Sequence, residues 1–321
     1  MALGTLIAPL CMPSSVQAQR PLRRLRLLLN TGFSSPQAWL WQALAQGYLA
    51  AEGIELELTP GAGAYTAAPR MADGGFDLAY GDVNSLIEVC AKRPEVAPRG
   101  VYMMFNASPS CVLVAADGPI RVPQHLVGQR VIGHDSDVAL RTFGALCHAQ
   151  GLNPATIDIS SAWSGMNGMA EDVVAGRAAG AFGYVSTFTG AIVSADPGLL
   201  KRVRFLRFAD WVPELYGSVL MASPRLQREE PETLTRVVRA LHRGVIDMLR
   251  QPSVTFEAVL RGNPGLPREA ELARLQATLE LEMNRALPTG ARRAETGHVD
   301  AKRLERSIAL MVRGSTLPRT P

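Results

Sequence analysis

Three short stretches place polar and aromatic side chains at the end of an apolar run, just before a helix begins. They are Tyr80-Gly81-Asp82, His134-Asp135-Ser136-Asp137 and Tyr184-Val185-Ser186-Thr187. Two chemistries are open to such turns. A carboxylate or hydroxyl there accepts from the first backbone N–H groups of the following helix and caps it. The same N–H groups, left free, point at a ligand. For any one turn, capping is the plainer reading. Three such turns at the same edge of neighbouring sheets point to a shared cleft. Gly81 would let ligand or backbone come close. Asp82 suits a helix cap, an acceptor for a ligand N–H, or both.

A catalytic reading needs a nucleophile, a base or a metal. Of the five histidines, His134 alone falls in a strand-end loop, beside Asp135 and Asp137, where a His–Asp pair would suit acid–base work. The capping reading of the two aspartates and Ser136 competes with it. The chain has no HExxH, no GxSxG, no GxGxxG after a strand and no GxxxxGK[ST]. Cys90, Cys111 and Cys147 have unrelated spacings and form no disulfide framework or metal cluster. No cofactor and no metal is expected.

Aromatic residues make up 6% of the chain, so their placement is informative. Phe33, Trp39, Tyr80, Trp163, Tyr184 and Tyr216 lie in or beside predicted loops at strand ends, where a flat ligand would stack. Trp39 also reads as the first core residue of its helix. Gln37, Gly63 and Asn106 complete the candidate set, from loops at the same edge.

The elements that must position these residues alternate. Predicted strands at Arg26–Leu29, Ile54–Leu58, Asp77–Gly81 and Val101–Phe105 are separated by helices at Ala38–Glu52 and Tyr65–Asp73 and one beginning near Ser85. A second block has strands at Cys111–Ala115, Gln129–Gly133, Ile157–Ile159, Ala181–Val185 and Val203–Phe208, with helices Val138–Gln150, Met169–Ala175 and Phe188–Ser194 between them. A strand at Tyr216–Ala222 follows. Strand–helix alternation predicts parallel sheets with helices on both faces, and ligands then sit beyond the carboxyl ends of the strands. From Pro224 the chain turns helical. Leu234, Val237, Val238, Leu241, Val245, Ile246 and Leu249 form one face of a long helix opened by Pro231, and helices at Val254–Leu260, Pro267–Arg285 and Asp300–Val312 follow.

Composition sets the frame. The 321 residues are 47% hydrophobic and 19% charged, enough to bury one or two sizeable cores. The net charge of +4 is scattered, without the dense basic stripe that nucleic acid would require. Residues 1–18 carry no charge, and Leu3–Leu10 is apolar. Val16-Gln17-Ala18 resembles a cleavage site, so this segment reads as an export signal cut near Ala18. No run is long enough to span a bilayer.

The order of these features resembles the periplasmic substrate-binding proteins of ABC importers, in the subfamily serving nitrate, taurine, alkanesulfonates and the pyrimidine precursor of thiamine. QALAQGYLAAEGIELEL, GGFDLAYGD, VPQHLVGQRVIG, GHDSDVALRTFGALCHAQGLN, EDVVAGRAAGAFGYVS and PETLTRVVRALHRGVIDMLRQP match its segments in sequence order. The resemblance implies an α/β, type II binding-protein fold: two α/β lobes, a ligand cleft between them, and a helical C-terminal part packed on lobe one. Lobe one would comprise residues 22–110 and 217–321, and lobe two 111–216, with crossings near Ser110–Val114 and Leu215–Val219. It also implies a periplasmic monomer that captures a small molecule by hinge closure and delivers it to an ABC permease and its ATPase. No nucleic-acid partner is expected.

The first loop of that family often carries a histidine, and Gln37 stands at the matching position. The predicted site loops hold almost no Arg or Lys, which weighs against a dianion held by guanidinium forks. Asp82, Asp135 and Asp137 suit a ligand that presents N–H donors. A planar nitrogen-containing compound, such as a thiamine pyrimidine precursor, is therefore favoured over a sulfonate or carboxylate held at helix N-termini. The alternative is a pyrimidine-synthase-like enzyme on the same fold. It would need a lysine for pyridoxal phosphate and a cysteine-rich motif; Lys92 lies on a helix and no cysteine cluster exists. A transcription regulator's effector lobes would need a DNA-binding helix pair where the export signal sits.

Overall fold

The computed structural model describes residues 22–161, 164–283 and 296–315. The predicted export signal and Trp163 lie outside them. Lobe one begins with β1 (Arg23–Leu28), α1 (Ala38–Ala45), α2 (Tyr48–Ala51), β2 (Ile54–Thr59), α3 (Ala67–Ala72), β3 (Leu78–Asp82), α4 (Val83–Lys92) and β4 (Arg99–Met103). Lobe two follows with β5 (Ser110–Ala115), β6 (Arg130–Gly133), α5 (Val138–Ala149), β7 (Asp158–Ser161), α6 (Gly165–Val174), β8 (Gly180–Tyr184), α7 (Val185–Ala195), β9 (Val203–Arg207) and α8 (Phe208–Trp211). The chain then returns to lobe one as β10 (Ser218–Ala222). It ends in α9 (Pro224–Glu229), α10 (Pro231–Arg250), α11 (Pro252–Gly262), α12 (Arg268–Ala277), a π-helical turn at Thr278–Glu282, and α13 (Ala301–Ser315).

Each lobe is built on a five-stranded sheet. The orders are β2-β1-β3-β10-β4 and β7-β6-β8-β5-β9. The expectation of parallel sheets holds for β1, β2 and β3 and for β6, β7 and β8. It fails for the strands that enter from the other lobe. β10 runs antiparallel to β3 and β4, and β5 antiparallel to β8 and β9. A strand arriving through a crossing enters at the cleft edge, so it runs against its neighbours.

Period-two alternation divides the faces of the first strand. Leu25, Leu27 and Leu29 face a core shared with Trp39, Leu40, Val237, Leu241 and Val245, while Leu28 faces α3 and α4. The predicted helix Ala38–Glu52 breaks in two at Gly47, whose φ of 66° is left-handed. The predicted Pro267–Arg285 helix is α12 plus the π turn within the described residues.

The tail does not all pack on lobe one. α10 and α11 do, against α1. α12 straddles: Leu275 joins the lobe-one core, while Ala277 joins the lobe-two core beneath α7. α13 straddles as well, with Leu304 against lobe one and Leu310 and Met311 against α5 of lobe two. The polar faces of these amphipathic helices gave no sign in the sequence of which lobe their apolar stripes would meet.

The crossings run through residues 104–109 and 212–217 and pair with each other. Met104 N and Phe105 N donate to Ser218 O at 2.9 and 3.0 Å, and Gly217 N donates to Phe105 O at 3.0 Å. A Cβ on Gly217 would lie 2.8 Å from Ala107 O, Phe105 Cβ and Pro109 Cδ. Gly217→Ala is therefore expected to push the crossings apart and cost about 1–3 kcal/mol, measured by urea unfolding. An unchanged midpoint would show that the crossings are not packed this tightly.

Candidate functional site

The carboxyl ends of the parallel strands in both sheets face a cleft of about 480 Å³. Lobe one contributes the loop after β1 (Asn30 to Ser34), the turn Gly61 to Ala64 and Phe105. Lobe two contributes His134, Ser136, Asp137, Val138, Met166, Tyr184, Ser186 and Thr187. Arg274 reaches in from α12.

The loop after β1 is held from behind. Gln37 Nε2 donates to Asn30 Oδ1 at 2.7 Å and to Gly32 O at 3.3 Å, and Asn30 O accepts from Gly63 N at 2.9 Å. Gln37 is fully buried and braces this loop; it does not face the cleft. Phe33, which does, rests edge-on against Trp41 with ring centroids 5.3 Å apart. Gly63 also lines the cleft, and its φ of 126° lies in the region that disfavours any side chain.

Four carboxylates surround the cleft, and each is bonded to a helix start. Asp82 Oδ1 accepts from Asn84 N at 2.8 Å and Ser85 N at 3.3 Å, capping α4. Asp137 Oδ1 accepts from Ala139 N at 2.7 Å and Leu140 N at 3.3 Å, capping α5. Glu282 Oε1 accepts from Ser186 N at 3.1 Å in the first turn of α7. Glu271 Oε2 accepts from Ser35 N at 2.6 Å, at the 3-10 turn that opens α1. The last two come from the C-terminal tail. The two lobes also touch through Tyr184, whose hydroxyl donates to Asp82 Oδ2 at 3.3 Å.

Burial sets the protonation of this group. It pushes Asp82 and Glu282 up to about 7 and Asp137 up to about 6, against the hydrogen bonds from backbone N–H groups that favour the ionised forms. Tyr184 is pushed upward too, first by burial and then by the neighbouring carboxylates. Arg274 lies 3.5 Å from Glu271 Oε1 and packs over Gly190.

Ser136 Oγ sits 2.8 Å from His134 Nδ1, the contact of a nucleophile with its base. The same nitrogen accepts from Ser136 N at 3.2 Å, which also makes the pair a fastening of the turn. Cys111 is fully buried and donates to Gly183 O at 3.3 Å. Among the described residues no group of three His, Cys, Asp or Glu is placed to hold a metal, and no helix is long and apolar enough to cross a membrane.

Of the residues singled out in the sequence, Phe33, Gly63, Ser136, Asp137 and Tyr184 line the cleft. Asp82 lies beneath it, bonded to Tyr184. Trp39 and Tyr80 do not line it: both are fully buried in the lobe-one core, edge to face at 5.3 Å. Gly81 has no room for a ligand either, since a Cβ there would meet Ala67 Cβ at 2.4 Å. Asn106 and Tyr216 belong to the crossings, where both are bound by Arg303 of α13. Asn30 and Thr31 were within sight, since the loop NTGFSSPQ follows a predicted strand. Ser186 and Thr187, in the third of the strand-end turns, line the cleft as well. Arg274, Glu271 and Glu282 gave no signal, because charged residues in an amphipathic helix read as its solvated face.

A family model described as NMT1/THI5 like matches residues 37–255. No curated protein sequence matches the chain. Among solved structures, the periplasmic aliphatic sulphonate binding protein SsuA from Escherichia coli is similar at 14% identity, with a TM-score of 0.65 over 92% of this chain and 94% of that one. A Candida albicans gene product, described as exhibiting the generic periplasmic binding protein structural fold, is similar at 15% identity, with a TM-score of 0.59 over 94% and 92%. A DszB mutant in complex with biphenyl-2-sulfinic acid has 14% identity and a TM-score of 0.60 over 92% and 94%. The shared architecture is the two-lobed periplasmic-binding-protein fold.

Proposed function

The chain belongs to the NMT1/THI5-like family, and from that premise we propose that it is an extracytoplasmic solute-binding receptor. It captures a small molecule between its lobes by hinge closure and passes it to an ABC permease. The observation that carries this reading is the cleft itself. It lies where both sheets present strand ends, it is lined from both lobes, and the lobes are joined by two paired crossings. Such a site closes by rotation about the crossings and traps what lies between. The preferred solute is a planar nitrogen-containing compound, the class of a thiamine pyrimidine precursor. Phe33, Phe105 and Tyr184 offer rings to a flat molecule, and Asp137 offers an acceptor. The export signal read in residues 1–18 and the resemblance to exported receptors support a periplasmic location.

A thermal-shift screen with aminopyrimidines, amidines, sulfonates, nitrate and small carboxylates tests the proposal. A true solute at about 100 times its Kd should stabilise the protein by roughly 2.7 kcal/mol through mass action. A panel without a hit would count against the receptor. The second reading, an enzyme, draws on the Ser136–His134 contact and on the fold shared with a protein complexed to a sulfinic acid. Chemical change of any hit on incubation, abolished by Ser136→Ala, would favour it; recovery of the hit unaltered favours the receptor.

A further inference from the structure

The N-termini of helices around such a cleft are natural anion sites, since their first N–H groups lack partners and the helix dipole is positive there. Here the chain's own carboxylates occupy them. Asp82 holds the start of α4, Asp137 that of α5, Glu282 that of α7 and Glu271 that of the turn before α1. An incoming sulfonate or carboxylate would find the N–H groups of these helix starts already bonded to carboxyl groups. Arg274 lines the cleft and forms a 3.5 Å ion pair with Glu271, which offsets its charge, while its Nε has no hydrogen-bond partner among the described residues. His134 Nδ1 serves as an acceptor for Ser136 N.

The remaining acceptor capacity faces the other way. Asp137 lines the cleft and spends Oδ1 on its cap, leaving Oδ2 without a hydrogen bond among the described residues. Glu282, 1% exposed and bonded to the backbone N–H of the cleft residue Ser186, lies behind the cleft lining and does not reach a ligand. A cleft-lining carboxylate oxygen without a donor is costly, and a ligand N–H on Asp137 Oδ2 relieves that cost. The rings of Phe33 and Tyr184 in the same cleft attract a cation over their faces.

We propose, resting on the receptor reading above, that the cleft selects a planar organic cation of the amidinium or guanidinium class and rejects sulfonates and carboxylates, with Asp137 as the residue that sets the sign of charge. Capping the helix starts from within converts an anion-binding architecture into a cation-binding one without altering the fold.

The test uses two probes of similar size and opposite charge on the intact protein: benzamidinium and benzenesulfonate, followed by thermal shift and titration calorimetry. Benzamidinium is expected to bind one to one, and benzenesulfonate to give no saturable binding at the same concentration. Asp137→Asn keeps an equally good helix cap but removes the charge. It should weaken benzamidinium at least tenfold without lowering the urea midpoint of the free protein. Benzenesulfonate binding as tightly as benzamidinium, or Asp137→Asn leaving the benzamidinium affinity intact, overturns the selectivity while the receptor reading survives. Failure of both probes together with the whole solute panel removes both.

Discussion

Arg303→Ala is expected to lower the unfolding free energy by about 4 kcal/mol, a large loss for a residue in the last described helix. Its guanidinium holds both crossings at once. It donates to Asn106 Oδ1 and O at 2.6 Å each in the first crossing, and to Leu215 O at 2.9 Å and Glu214 O at 3.2 Å in the second. It also lies over the Tyr216 ring at 3.8 Å. Hydrogen bonds from a charged donor contribute about 1.5–3 kcal/mol each, and a partly desolvated cation–π contact about 1–2. The four bonds share one side chain, so their sum is not additive, and the estimate sits well below it. Arg303→Lys should recover less than half, because a compact ammonium cannot serve acceptors on two segments in a fixed fork. Hydrogen exchange gives the sharper readout. Residues 104–109 and 212–217 should lose protection together in the alanine variant. Loss in neither segment, or full rescue by lysine, would mean that Arg303 does not pin the crossings.

Glu282→Gln should swing in its effect by about 3 kcal/mol between pH 4 and pH 8. Burial raises the Glu282 carboxyl from its ordinary value of 4.5 to about 7 in the folded protein, and each unit corresponds to about 1.4 kcal/mol. A raised folded-state pKa means that the native protein favours the protonated acid. Glu282 therefore contributes fully below about pH 4, and that contribution is lost as the pH rises through 7. At pH 8 the native wild type carries an ionised carboxylate whose Oε2 has no partner. Glutamine keeps an acceptor for Ser186 N and never ionises. Its fixed cost of burying an amide is the same at both pH values, so the difference isolates the charge. Relative to wild type, the variant should gain stability from about pH 4.5 to pH 7 and level off above that in urea titrations. A flat difference would place Glu282 in water and not in the buried position beside Ser186.

Much of the scaffold is legible in the sequence because its strands and helices carry their own periods. RLRLLL alternates, the α10 stripe recurs every three or four residues, and Asp82 and Asp137 cap the helices that their turns announced. The aromatic part of the site was less legible. β3 is buried along its whole length, so alternation does not tell which face Tyr80 takes. It points into the core against Trp39 and Phe105, not toward the cleft. Tyr216 is held in the second crossing by Arg303, more than 80 residues further along the chain. The charges that complete the cleft, Glu271, Arg274 and Glu282, are tertiary in origin. They belong to a helix and a π turn whose sequence resembles any solvated amphipathic segment, and only the straddling of α12 between the lobes brings them to the site.

The central claim is that the cleft between the lobes holds a solute and releases it unchanged. Titration calorimetry of the best stabilising compound from the solute screen, against wild type and Ser136→Trp, tests it most directly. Ser136 lines the cleft from lobe two, and an indole there should compete with a solute for the space. The wild type should show one saturable site and return the compound intact, and the tryptophan variant should not bind it. Undiminished binding to Ser136→Trp, or a compound consumed during the titration, would contradict it.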